Sequence, residues 1–195
     1  DKHITALHFV SFDEFFFEPL DIRKYEISVP GVEYFLRKKA VKNIEKSNFK
    51  IAPKTVFHLF RILNFLKISP YTNKLGINIY NSSFKNILRN TKSAYTARGG
   101  FGIPVRKFFE IPASGSLLIS DPCIGFKELG FVPNKHYIKA DPEDLLDALS
   151  HWTKNPEAQK IASNGQNLVL LKHSIKYRSE QIRECFLEIK KNNFL

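Results

Sequence analysis

Short apolar runs of strand length alternate along this chain with segments whose apolar residues recur at helical spacing, and that alternation limits the folds open to it. Tyr25-Glu26-Ile27-Ser28-Val29 alternates as a strand does and stops at Pro30-Gly31. Phe35 to Ser47 has helical spacing, with Phe35, Leu36, Ala40, Val41 and Ile44 on one side and Arg37, Lys38, Lys39 and Lys42 on the other. Phe49 to Ala52 reads as a second short strand, Gly76 to Tyr80 as a third closed by a polar turn at Asn81-Ser82-Ser83, and Phe84 to Asn90 as a short helix. After a glycine loop at 99–102, Pro104 to Ala113 reads as a helix with proline in its first turn and Gly115 just past its end. Leu117 to Ile119 is a compact buried strand, Phe126 to Leu129 a short helix and Tyr137-Ile138 a small strand. Asp141 to Asp144 is placed to cap a helix running to Thr153, and Asn155-Pro156-Glu157 starts another. The sum is an α/β domain with a mostly parallel sheet flanked by helices. In such sheets ligands bind beyond the carboxyl ends of the strands.

Three segments follow from this pattern. Residues 1–20 form an aromatic, acidic connecting segment, 21–173 a layered α/β domain, and 174–195 a long charged helix. Val56 to Leu66 is apolar almost all round and suits either a buried helix or one that meets a partner. A chain opening at Asp1 rather than Met reads as part of something longer. Cys123 and Cys185 lie too far apart in sequence to suggest a disulfide framework, and no histidine has zinc-ligand spacing, so no metal is expected and a reducing, cytoplasmic setting is the simplest reading. The chain has no apolar run long enough to span a bilayer.

Charge is concentrated. Residues 34–100 hold fourteen basic side chains against the single acid Glu45, and so supply the whole positive excess of a chain with net charge +11. An anionic partner suits that stretch: a nucleotide diphosphate, a nucleic acid or an acidic membrane surface. Interleaved Phe57, Phe60, Phe65, Tyr71 and Tyr80 keep a nucleic-acid-binding module open as the alternative, and residues 56–71 suit a peripheral membrane contact.

The most informative run is Arg98 to Glu110. Gly99, Gly100 and Gly102 let backbone N–H groups approach an anion, and Arg98, Arg106 and Lys107 bracket the same place with full charges. Glu110, about 1.5 turns along the helix, suits a ribose diol. A bare surface ion pair between Arg106 and Glu110 is the bland alternative. The glycines follow several strands and lack the G-x-G-x-x-G spacing of dinucleotide oxidoreductases. Weaker candidates are Arg37, Asn81, Ser82, Ser83 and Glu128.

From Pro104 to Asp121 the chain resembles the donor-lobe signature of glycosyltransferases built from two Rossmann-like lobes, the GT-B fold, and is similar to the group that resembles spore-maturation glycosyltransferases. Arg106, Glu110, Ala113, Gly115 and Leu117 to Ile119 carry the likeness, which extends through Glu128, Tyr137 to Leu149, Pro156 to Gly165 and His173 to Arg178. Tyr25 to Gly31 and Arg37 match that lobe's first strand and helix more loosely. The resemblance implies a Rossmann-like lobe that binds a nucleotide-diphosphate sugar as donor substrate, without a cofactor or a required metal. Glu110 would then hold the ribose and Arg106, helped by Lys107, the diphosphate. It also implies a glycan or lipid-linked acceptor and a separate amino-terminal acceptor lobe. Many members carry a second Glu eight residues before the ribose Glu, where this chain has Gly102.

Overall fold

The computed structural model describes residues 9–31, 34–54, 62–63, 65–66 and 74–192. The first strand is β1 (Tyr25–Ser28), followed by helix α1 (Phe35–Ile44) and the long helix α2 (Lys74–Arg89). Next come β2 (Thr91–Thr96), α3 (Lys107–Ala113), β3 (Leu117–Ser120) and β4 (Ile138–Lys139). Helices α4 (Leu145–Trp152), α5 (Glu157–Lys172) and α6 (Ile175–Asn192) complete the order, with a short 3-10 turn at Phe12–Glu14 ahead of β1. The sheet runs β1-β2-β3-β4 and every pairing is parallel. This is the α/β architecture expected from the alternation of elements.

The two faces of the sheet bury separate cores. Phe84, Leu88, Ala94, Phe108, Phe109, Leu118 and Val169 fill the side covered by α2, α3 and the end of α5. Ile27, Ala40, Ile44, Tyr95, Ile119, Leu145, Leu149 and Ile161 fill the side covered by α1, α4 and the start of α5. Strand alternation makes this possible, because Ala94 and Tyr95 point to opposite faces.

Several local expectations are corrected. Gly76 to Tyr80 is helical, and Asn81, Ser82 and Ser83 lie in the middle of α2 rather than in a turn at a strand end. The alternation of Ile77 and Ile79 is local, whereas the buried residues Gly76, Phe84, Ile87 and Leu88 follow helical spacing. The second strand in sequence is Thr91–Thr96, whose polar composition hides it. Two of its buried hydroxyls find carbonyls: Thr91 Oγ1 donates to Ile87 O at 2.6 Å and Ser93 Oγ to Glu26 O at 2.5 Å. Phe49 to Ala52 contributes a single bridge, Ile51 to Ile27, not a strand. Helix α3 starts at Lys107, after Pro104 and not on it, α4 starts at Leu145 with no side-chain cap from Asp144, and Phe126 to Leu129 stays a turn. Most of 56–71 lies outside the described residues.

Arg23 locks the amino-terminal end of the sheet. It is buried and donates to the carbonyls of Leu88, Thr91, Ser114 and Glu18 and to Ser116 Oγ, at 2.9–3.3 Å. The segment before β1 is strapped on beside it. Phe16 N donates to Ala113 O and Gln166 Nε2 to Phe16 O, while Val10 bridges to Ser174.

Helix α5 packs closely enough on the turn ahead of β4 to require Gly165, where a methyl group would sit 2.5 Å from His136 O. A mid-helix glycine-to-alanine change ordinarily stabilises by about 1 kcal/mol. Here Gly165→Ala is expected to destabilise, by about 1–3 kcal/mol, because the obstacle is backbone. Urea unfolding of the variant beside wild type checks the sign.

Candidate functional site

The strands deliver four loops to one edge: Val29 to Gly31 after β1, Ala97 to Gly102 after β2, Asp121 to Cys123 after β3 and Ala140 onward after β4. Gly31 lies at this edge with φ +89°, a conformation that glycine takes without strain. A methyl group on Gly31 would come within 2.7 Å of Lys107 Nζ and 3.4 Å of Arg37 Nη1. The ammonium from α3 and the guanidinium from α1 thus converge on one backbone position.

Neither cation forms an ion pair with a carboxylate among the described residues. Arg37 is buried, donates from Nη1 to Pro30 O at 3.3 Å and stacks 4.9 Å from the Tyr34 ring, while its buried Nε has no hydrogen-bond partner among the described residues. Lys107 Nζ lies 5.1 Å from the Phe84 ring centre, and no carboxylate among the described residues is within ion-pair distance of it. Burial pushes both groups below their ordinary pKa. For Lys107 the Glu110 carboxylate opposes that shift, and Arg37 and Arg106 add to it. Removing a charge from water costs several kcal/mol unless a partner repays it. Two such charges side by side form a site that favours an anion.

The sheet supplies hydroxyls on the face that α3 covers. Thr96 pairs with Ser120 and Ser28 with Ala94, which places all three side-chain hydroxyls on that face at the carboxyl edge. Each is buried with no hydrogen-bond partner among the described residues. A buried hydroxyl left unsatisfied costs about 1–3 kcal/mol, so these atoms are ready hydrogen-bonding groups for a polar ligand.

Arg106 and Glu110 belong to an adjoining polar cavity of about 220 Å³, lined also by Glu14, Asn81, Phe84, Lys85 and Ser114. Arg106 sits between two carboxylates, with Nε 2.7 Å from Glu110 Oε1 and Nη2 3.0 Å from Glu14 Oε1. Glu110 is 9% exposed, and burial raises its pKa against the pull of Arg106 and Lys107. The i,i+4 ion pair is therefore real, and it is also part of a cavity rather than a bare surface feature.

The other candidates separate. Arg98 is tied to buried Asp121: its N–H donates to Oδ1 at 3.0 Å and its Nε lies 3.3 Å from Oδ2. In the glycine loop, Gly99 N donates to Ile103 O and Gly102 N to Gly99 O, so these two amides close the turn on itself. Gly100 is exposed and has open space around its α-carbon. Asn81 lines the Glu110 cavity, whereas Ser82 is exposed and Ser83 half-buried on the same helix. Glu128 is exposed on the turn that follows β3 and makes no hydrogen bond or ion pair among the described residues. His173 is structural: Nε2 lies 2.9 Å from Leu129 O, and burial first of all lowers its pKa to about 4. Among the described residues no cluster of three or more His, Cys, Asp or Glu side chains is placed to hold a metal, and no helix is long and apolar enough to cross a membrane.

Glu14 and the Ser28, Thr96 and Ser120 hydroxyls escape the sequence reading. Glu14 lies in a segment that reads as a connector, and only its spatial neighbour Arg106 gives it a role. The hydroxyls sit in strands whose function depends on register, which no local motif records.

The fold is a Rossmann-like lobe of the kind found in two-lobe glycosyltransferases. Residues 14–184 match the family model described as glycosyl transferase-like, and the chain belongs to that family. It is similar in structure to the C-terminal domain of a glycosyl transferase group 1 family protein (LpcC) from Francisella tularensis, at 18% identity and TM-score 0.54, over 85% of this chain and 99% of that one. It is also similar to a glycosyltransferase from Rickettsia africae, at 16% identity and TM-score 0.63, covering 95% of this chain and 56% of that one. A third likeness is to Anabaena HepE in complex with UDP, at 12% identity and TM-score 0.63, over 91% of this chain and 55% of that one. The chain spans a little over half the length of those last two proteins. None of the curated protein sequences matches it.

The cation pair makes a direct prediction. Inorganic pyrophosphate is expected to raise the melting temperature, since a ligand at 100 times its Kd stabilises by about 2.7 kcal/mol. Lys107→Met should remove that response without lowering the stability of the ligand-free protein, because it deletes a half-buried charge that no carboxylate among the described residues pairs. Arg98→Ala should retain the response. A differential scanning fluorimetry titration of the three proteins reads all of these outcomes.

Proposed function

We propose that this chain is the donor-binding lobe of a glycosyltransferase and takes a nucleotide-diphosphate sugar. The observation that carries the reading is the convergence of Arg37 and Lys107 on Gly31 with no carboxylate among the described residues within ion-pair distance of either. A diphosphate matches that convergence in charge and in size, and its oxygens would accept hydrogen bonds from the guanidinium, the ammonium and the hydroxyls of Ser28, Thr96 and Ser120. The ribose would lie in the adjoining cavity, where the Glu110 carboxylate accepts hydrogen bonds from its diol. Arg106, at the mouth of that cavity and 56% exposed at its side chain, is near enough to both parts to orient Glu110 and to meet a phosphate oxygen. The Gly99 to Gly102 loop would border the donor through Gly100, the glycine facing open space.

Chemically, glycosyl transfer breaks the bond between the sugar's anomeric carbon and the diphosphate oxygen, and charge develops on that oxygen. Fixed cations in a dry site stabilise such charge without reorganising. Arg37 and Lys107 would do this here. The acceptor, a glycan or lipid-linked sugar, and the group that deprotonates it would come from a second, amino-terminal lobe across the cleft. That HepE is described in complex with UDP, on a similar fold, supports a nucleotide diphosphate over a nucleic acid.

The test is a thermal-shift panel of UDP, GDP, CDP and ADP with their sugars, on wild type and Glu110→Ala. One base family should stabilise the wild type, and the variant should lose most of the shift, equivalent to about 1–3 kcal/mol for a charged hydrogen-bond partner. No stabilisation by any of the four would refute the assignment.

A further inference from the structure

Glu14 belongs to the segment ahead of the sheet, remote in sequence from every element of the site, yet it is 8% exposed and reaches the cavity floor. Its position is fixed from both sides. Its Oε2 accepts a hydrogen bond from Ser11 N at 3.3 Å, which closes the 3-10 turn on itself, and the neighbouring Phe16 is tied by backbone to Ala113 on α3. From there Oε1 meets Arg106 Nη2 at 3.0 Å, while Arg106 Nε meets Glu110 Oε1 at 2.7 Å. One guanidinium therefore serves two nearly buried carboxylates.

We propose that Glu14 is a positioning residue for Glu110: by sharing Arg106 with it, Glu14 sets how readily Glu110 presents a full carboxylate to a hydroxyl-bearing ligand. This rests on the ribose role assigned to Glu110 above. The groups around Glu110 are few. Arg106 and Lys107 approach from its own helix, Glu14 from the 3-10 turn, and Asp13 and Lys85 face the same cavity, paired with each other. Burial and the Glu14 charge favour the protonated acid, whereas Arg106 and Lys107 favour the carboxylate. A diol donates two hydrogen bonds, and only the ionised form accepts both without reorganising. Glu14 thus adds to burial in raising the acid limit of ligand binding that Glu110 sets.

The rival role for Glu14 is purely structural, a brace for the segment that carries it. The two roles differ in what an isosteric, uncharged replacement does. Glu14→Gln keeps the shape and the hydrogen bond to Ser11 but removes the competing charge, so Arg106 passes wholly to Glu110. The Glu110 titration midpoint should fall by about one pH unit, the scale on which a neighbouring like charge acts. Glu14→Asp, which retains the charge, should leave the midpoint near that of wild type.

The experiment follows the Glu110 side-chain carboxyl carbon by NMR on glutamate-labelled protein from pH 3 upward, in wild type, Glu14→Gln and Glu14→Asp, and measures UDP affinity over the same range. A lower midpoint in Glu14→Gln only, with the acid limb of UDP binding moving alongside it, supports the proposal. An unmoved midpoint overturns it, whatever happens to affinity or melting temperature. A moved midpoint without binding of UDP, GDP, CDP or ADP by any of the proteins supports the control of Glu110 by Glu14 and refutes the nucleotide reading instead.

Discussion

Buried Arg37 and half-buried Lys107, two cations with no carboxylate within ion-pair distance among the described residues, are the constraint around which the rest of this lobe is arranged. A charge drawn out of water without a partner is costly, and a fold keeps two of them together only if the remaining packing can bear the expense. Here the packing is of two kinds. On both faces of the sheet, apolar cores with fully buried Tyr95, Phe108, Phe109 and Leu145 supply the burial. At the opposite end of the strands, Arg23 spends its hydrogen bonds on four carbonyls and a hydroxyl, and so satisfies the loop ends that the fold brings together. One buried arginine makes five hydrogen bonds through its two terminal nitrogens and holds the amino end; the other makes one, to Pro30 O, at the carboxyl end. The contrast between them separates scaffold from site.

The polar cavity beside the cations follows a different logic. Arg106 there is held by both Glu14 and Glu110, with its side chain still 56% exposed, and the local charge is close to balanced. Such a pocket attracts a phosphate less than the neighbouring cations do and is well suited to hydroxyls. Placed next to the uncompensated pair, it gives the edge of the sheet two adjoining surfaces of unlike chemistry, one for an anion and one for a diol. A nucleotide diphosphate offers those two features in adjacent positions. The glycosyl transferase-like family match places the same residues in a transferase context without specifying the base, the sugar or the acceptor.

How much of this can be read in the sequence depends on the physics of each feature. Strands β1 and β3 are legible because their burial is apolar and local. Strand β2 is not, since Thr91, Ser93 and Thr96 are buried as hydroxyls and carry no hydrophobic signal. Helix α2 is misread where Ile77 and Ile79 alternate, because a window of five residues cannot separate a period of two from one near four. Arg106, Lys107 and Glu110 stand out in sequence because they crowd one short helix. Arg37 stands out less, since Lys38, Lys39 and Lys42 around it make the helix look evenly charged. The sequence reading sets it with those lysines on the charged side, and the structure corrects this: Arg37 follows the helical spacing of Ala40, Val41 and Ile44, and those four are the residues that α1 buries. Glu14 has no such signature, because its role exists only once the chain folds its leading segment back onto α3.

The central claim is that Arg37 and Lys107 together hold a diphosphate. A crystal structure of the protein with UDP tests it most directly. The account predicts phosphate oxygens within hydrogen-bond distance of both the Arg37 guanidinium and the Lys107 ammonium, with the ribose hydroxyls on Glu110. A diphosphate bound elsewhere, with Arg37 and Lys107 untouched, would contradict it.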